Sequence, residues 1–166
     1  MTRDITTIRH RTLDDPPLHI VLYQPEIPAN TGNIARLCGA AEMRLHLIHP
    51  LGFKVDDKHL KRAGLDYWHE VDVCHHRNFE AFLEGMDNQG NLFVLSRHAS
   101  EAYPKAKVKH GDYLLFGRET SGMPAHIKEV FPCYSIPIWG KIRSLVIIVT
   151  AYHPNPALWI DYNRRK

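Results

Sequence analysis

The stretch Asp112–Pro124, DYLLFGRETSGMP, decides how this chain is read. Tyr113–Phe116 is a short apolar run of strand-forming residues that stops at Gly117. Gly117 and Gly122 bracket the polar residues Arg118-Glu119-Thr120-Ser121, and Met123-Pro124 opens a helical pattern. In parallel α/β sheets, a strand that ends in a glycine-bounded polar turn before a helix presents a ligand-binding loop. Glycine tolerates positive φ and lets a ligand come close to the backbone. The glycine spacing imitates a phosphate-binding loop, but Met123-Pro124 stands where that motif needs Lys followed by Ser or Thr. A P-loop is excluded.

Upstream, the chain alternates strand and helix patterns. LHIVLYQ (Leu18–Gln24) reads as a first buried strand ending at Pro25. In EIPANTGNIARLCGAAEM, Asn30-Thr31 can cap a helix that runs through Ile34, Leu37 and Cys38 to Ala40-Ala41. Arg44–Ile48 is a second strand. Asp56–Ala63 reads as a short charged helix stopped by Gly64, and Tyr67–Val73 alternates like a strand with one wet face. Asn78–Met86 has Phe79, Phe82, Leu83 and Met86 at helical spacing, and Asn91–Leu95 is another buried strand. After Asp112–Pro124, Ala125–Val130 reads as a helix and Cys133–Ile136 as a short strand. Buried strands separated by helices predict a mostly parallel α/β sheet with helices on both faces. The loops at 96–100, 117–123 and 137–143 would then share one cleft at the carboxyl ends of the strands.

The 166 residues make one domain, 18–166, preceded by a polar leader, 1–17, that ends in Asp-Asp-Pro-Pro. Hydrophobic content of 44% and charged content of 23% are those of a globular protein, and no apolar run is long enough to cross a bilayer. The N-terminus lacks the apolar core of a secretory signal. Three dispersed cysteines, Cys38, Cys74 and Cys133, do not form a disulfide framework. The expected compartment is the cytoplasm. A net charge of +3 is compatible with nucleic acid but is no dedicated electrostatic footprint.

Three constellations could carry chemistry. In Pro28–Arg36, Asn30 and Arg36 lie nearly two helical turns apart and offer donors to one groove, beside the small Gly32. The competing reading is a capped helix with a solvated arginine. The cluster His69-Glu70 with Cys74-His75-His76 lacks four-ligand spacing, so no metal is expected. Ser121 and Ser144 lack a nucleophile elbow and an obvious base partner, which disfavours a hydrolase.

Three blocks together resemble the SPOUT-class RNA 2′-O-methyltransferases: PEIPANTGNIARLC (Pro25–Cys38), DYLLFGRETSGMP (Asp112–Pro124) and IPIWGKIRSL (Ile136–Leu145). The segments HLIHPLGF (46–53) and DDKHLKRAGLDYWHE (56–70) point to the small single-domain branch that modifies the wobble ribose of tRNA. The resemblance covers about Leu18 to Leu145. It implies a six-stranded parallel sheet with a C-terminal trefoil knot, a homodimer, and S-adenosylmethionine held among the knot loops. It also implies cofactor contacts at Leu95, Gly117, Ile136 and Ser144, with Glu119 in the same loop. The catalytic arginine it implies is Arg36, with Asn30 beside it. The anticodon stem-loop of tRNA would be the partner, with no membrane and no metal.

The match departs after Leu145, where the family pattern continues Asn-Leu-Ser-Asn into a helix. Here the chain reads Val146-Ile-Ile-Val-Thr-Ala-Tyr-His-Pro154-Asn-Pro156, and the prolines break a helix. The C-terminus, 146–166, is atypical. Two functional readings follow: an active wobble-ribose methyltransferase, or a non-catalytic RNA-binding or dimerisation module that keeps the fold and has lost the cofactor. A general dinucleotide-binding protein would need a Gly-x-Gly-x-x-Gly fingerprint, which is missing.

Overall fold

Strand residues point alternately to opposite faces of a sheet, so a strand buried on both sides shows no polar phase. Leu18–Tyr23 (β1) is such a strand, buried along nearly its whole length. The computed structural model describes residues 12–54 and 68–135. After β1 come α1 (Pro28–Ala40), β2 (Arg44–Ile48), β3 (Val73–His76), α2 (Phe79–Glu84) and β4 (Leu92–Leu95). The two-residue β5 (Glu101–Ala102), β6 (Asp112–Phe116), α3 (Ala125–Val130) and β7 (Cys133–Ser135) follow. Among the described residues the strands form one seven-stranded sheet in the order β3-β2-β1-β6-β4-β7-β5. Every pairing in it is parallel. The sequence pattern therefore predicts the class of sheet correctly.

The two faces carry two cores. Leu18, Ile20 and Leu22 of β1 join Leu45, Leu47, Leu114 and Leu95 under Ala35 and Cys38 of α1. Val21 of β1 joins Val94, Leu115 and Tyr113 on the other face, under Phe82 of α2 and Ile127 of α3. Helices thus cover both faces. Phe82 is fully buried, and truncating such a residue to alanine destabilises by about 3–5 kcal/mol.

Several local expectations are corrected. Trp68–Glu70 is a 3-10 turn, and the strand begins only at Val73, so the alternation over Tyr67–Val73 was misleading. The true strand carries the polar run Cys74-His75-His76. Its histidines find partners on β2 and just beyond it: His76 Nε2 lies 2.9 Å from His46 Nδ1, and His75 Nδ1 lies 2.9 Å from His49 Nε2. β5 has no counterpart in the sequence reading, because two exposed residues show no pattern, and the described sheet has seven strands where the resemblance implies six. Residues 12–17 are tied to the sheet. Asp72 accepts from the Leu13 N–H at 2.8 Å and pairs with Arg44 at 2.7 Å, while Pro17 O accepts from Gly111 N at 2.9 Å. The expected helix at Asp56–Ala63, the block Ile136–Leu145, the C-terminal knot and the segment 146–166 lie outside the described residues.

Candidate active site at the carboxyl ends of the strands

β1 and β6 are neighbours at the centre of the sheet, yet β1 leads to α1 on one face and β6 to α3 on the other. Where successive connections diverge in this way, the loops at the carboxyl ends part and leave a crevice. Here the crevice is spanned by two carboxylates. Glu119 Oε2 accepts from the Glu26 N–H at 2.7 Å, and Glu119 Oε1 accepts from the Ile27 N–H and from Asn30 Nδ2, each at 3.3 Å. In return, Glu26 Oε2 accepts from the Thr120 N–H at 3.0 Å, and the Thr120 hydroxyl donates to Glu26 at 2.7 Å.

This exchange corrects the start of α1. The helix begins at Pro28, with Ile27 as an N-cap that has no capping side chain of its own. Proline suits the first helical position because its missing N–H would have had no partner there. The first turn contains no acid, and the carboxylate of Glu119, 92 residues from Ile27, accepts from the N–H groups of Glu26 and Ile27 just before the helix, at its positive end. Asn30 therefore does not cap the helix. Its amide nitrogen is engaged by Glu119, which leaves its carbonyl oxygen as the acceptor end of the side chain.

Gly117 is required by the closure of its own loop. A Cβ there would lie 2.4 Å from the Gly122 carbonyl carbon and 2.4 Å from Met123 N. Arg118 N donates to Gly122 O at 3.1 Å and Gly122 N returns a bond to Arg118 O at 3.0 Å, with Gly122 at φ +70°. The loop is a tight clip, so Gly117 presents bare backbone beside the end of β4. Leu95, at that end, is 4% exposed and pairs with Phe116 on one side and Tyr134 on the other. The carboxyl ends of β6, β4 and β7 consequently lie side by side in adjacent parallel strands. Ile136 follows Ser135 directly in the chain; it and Ser144 lie outside the described residues.

The residues at Leu95 and Gly117 fit one end of S-adenosylmethionine. A buried aliphatic side chain beside a bare glycine backbone suits a flat, neutral adenine, which needs apolar walls and main-chain donors and acceptors. Glu119 faces the other way, toward Glu26–Asn30. Arg36 is exposed on α1, in the second turn beyond Asn30. The guanidinium of Arg118 stands 5.9 Å from the centroid of the Tyr23 ring. The Thr120 hydroxyl, then its N–H and more weakly the Arg118 charge, hold the Glu26 carboxyl below its usual range, so it is ionised at neutral pH.

A family model described as the SpoU rRNA Methylase family matches residues 17–152. This chain belongs to the SpoU methylase family. Among its relatives is the tRNA (cytidine(34)-2'-O)-methyltransferase of Escherichia coli, 50% identical over 131 residues, 77% of this chain and 83% of the relative. The enzyme of the same name from Yersinia pestis is 47% identical over 135 residues, again 77% and 83% of the two chains. A solved structure described as giving structural insights into the 2-OH methylation of C/U34 on tRNA superposes with a TM-score of 0.71 at 46% identity. It covers 81% of this chain and 90% of its own. The SpoU methyltransferase AviRb of Streptomyces viridochromogenes, solved with AdoMet, shares the fold at a TM-score of 0.70 and 17% identity, over 90% of this chain and 60% of its own.

Of the residues singled out in the sequence of this SpoU-family chain, Asn30, Leu95, Gly117 and Glu119 lie at the same ends of the sheet. Glu26 and Thr120 were missed. No periodic or local signal marked them, because their hydrogen bonds join two loops far apart in the chain.

Proposed function

We propose that this chain transfers the methyl group of S-adenosylmethionine to the ribose 2′-hydroxyl of the wobble pyrimidine nucleotide of tRNA. The observation that carries this reading is the 50% identity, spanning most of both chains, to a tRNA (cytidine(34)-2'-O)-methyltransferase. S-adenosylmethionine supplies an electrophilic methyl group on a sulfonium. Leu95 and the Gly117 backbone would form one wall of its site, with Ile136 and Ser144 contributing from the segment that follows β7 in the chain. Positioning of donor and acceptor in line accounts for much of the acceleration.

Asn30 and Arg36 act on the ribose. A guanidinium stays protonated in proteins and cannot serve as a general base. Arg36 orients the 2′-hydroxyl or the adjacent phosphate and stabilises negative charge as it develops on the oxygen. Asn30, fixed by Glu119, offers its carbonyl oxygen to the hydroxyl proton. The chain works in the cytoplasm as a homodimer, since a domain of this size has little surface of its own for an anticodon stem-loop.

Calorimetric titration with S-adenosylmethionine tests the reading against the non-catalytic alternative, which Val146 in place of the family asparagine favours. Saturable heat supports the enzyme. No heat, from protein that is folded and binds tRNA, supports the RNA-binding module.

A further inference from the structure

The interlock between Glu26 and Glu119 does more than close a crevice. Two like charges on facing loops repel, and proteins seldom set them together without compensation. Here each carboxylate is held by donors from the loop that carries the other: Glu119 by the backbone of residues 26 and 27 and the Asn30 amide, Glu26 by the hydroxyl and N–H of Thr120. Neither loop can shift without breaking bonds made by both carboxylates. The 25–26 segment is also held from the side of β2. Gly52 N donates to Pro25 O at 2.9 Å, and a Cβ on Gly52 would lie 2.7 Å from the Glu26 Cα. Glu26 therefore stands on a backed segment, and its side chain reaches outward to the Gly117–Gly122 clip.

We infer that Glu26 is a positioning residue for methyl transfer: through Thr120 it locks the Gly117 clip, at the cofactor wall, to the start of the helix that carries Asn30 and Arg36. The inference rests on the function proposed above. Glu26 touches neither substrate nor cofactor in this scheme. It sets the distance between the loop that holds the methyl donor and the helix that holds the ribose, where a displacement of one ångström can reduce the rate about a hundredfold.

The test uses Glu26→Ala, Thr120→Val and Thr120→Ser in the full chain, with two readouts. Hydrogen exchange of the protein without ligands reads the lock itself. Glu26→Ala and Thr120→Val should each speed exchange of amides in both 26–31 and 117–122, leaving β1 and β6 protected, while Thr120→Ser keeps the wild-type pattern. Single-turnover transfer at saturating tRNA reads the consequence. Both disruptive variants should fall about tenfold or more with cofactor affinity within twofold of wild type, Thr120→Ser should retain the rate, and the double variant should be no slower than the slower single. Independent exchange in the two segments would overturn the lock. Coupled exchange with a wild-type transfer rate would overturn the positioning role. A wild-type chain that transfers no methyl group to tRNA would overturn the proposed function and the catalytic half of this inference, and the exchange data would still decide the lock.

Discussion

His19 Nδ1 lies 2.9 Å from His46 Nε2 inside the sheet, and His46 Nδ1 lies 2.9 Å from His76 Nε2, so three strands are joined by one file of imidazoles. A neutral imidazole has one donor and one acceptor, so His46 must donate to one neighbour and accept from the other. His19 stacks on Tyr113 at 4.1 Å, and Phe82 meets His46 edge-on at 5.6 Å. Burial, with the Arg44 charge adding to it, pulls His19 down to about 4. Burial lowers His46 far below its ordinary value, and His76 is lowered in the same way.

That file makes the fold sensitive to acid. Well above pH 6.5 these histidines are neutral in both folded and unfolded chains, and their contribution is fully present. As pH falls from about 6.5 towards 4, the unfolded chain takes up protons that the folded chain refuses. Each such histidine then removes up to about 1.4 kcal/mol of stability per pH unit. The urea midpoint should drop clearly between pH 7.5 and pH 5. Equal midpoints would show that the imidazoles titrate normally in the folded state.

Gly117→Ala should abolish cofactor binding without unfolding the sheet. The added Cβ meets the backbone of Gly122 and Met123, so the clip must open and the cofactor wall is lost. Calorimetry alongside circular dichroism checks this. A folded variant that binds with wild-type affinity would remove the Gly117 loop from the cofactor site.

Arg36→Ala should lower single-turnover transfer by about a hundredfold, the effect of losing about 3 kcal/mol of charge-assisted stabilisation in a transition state. Cofactor affinity should hardly change. Arg36→Lys keeps the charge but loses the planar fork, so little rescue identifies action on the reacting hydroxyl. If Arg36 only grips phosphate, Lys rescues the rate, and Ala instead weakens tRNA binding and flattens its salt dependence. An Ala variant with the wild-type rate would exclude Arg36 from the mechanism.

The chain should sediment as a dimer at micromolar concentration. A single species of monomer mass would contradict the proposed homodimer.

How legible this was depends on where each signal sits. β4 is an uninterrupted apolar run, and the apolar runs of β1 and β6 are interrupted only by His19 and preceded only by Asp112, as befits strands buried on both faces. α2 was marked by Asn78, whose side chain accepts from Ala81 N at 2.9 Å, a bond made within four residues. The start of α1 was misread because Asn30 has the chemistry of a cap, whereas the helix already begins at Pro28 and the Asn30 amide donates to Glu119 on another loop. β3 was hidden because His75 and His76 look like surface residues until their partners on the neighbouring strand are known. Local chemistry is written locally; the Glu26–Glu119 exchange is tertiary and left no periodic trace.

The most direct test of wobble-ribose methylation is transfer of isotopically labelled methyl from S-adenosylmethionine to bulk tRNA followed by nucleoside mapping. The account predicts label in 2′-O-methylated cytidine or uridine at the wobble position. Label on another ribose or on a base, or no label from protein that binds both cofactor and tRNA, would contradict it.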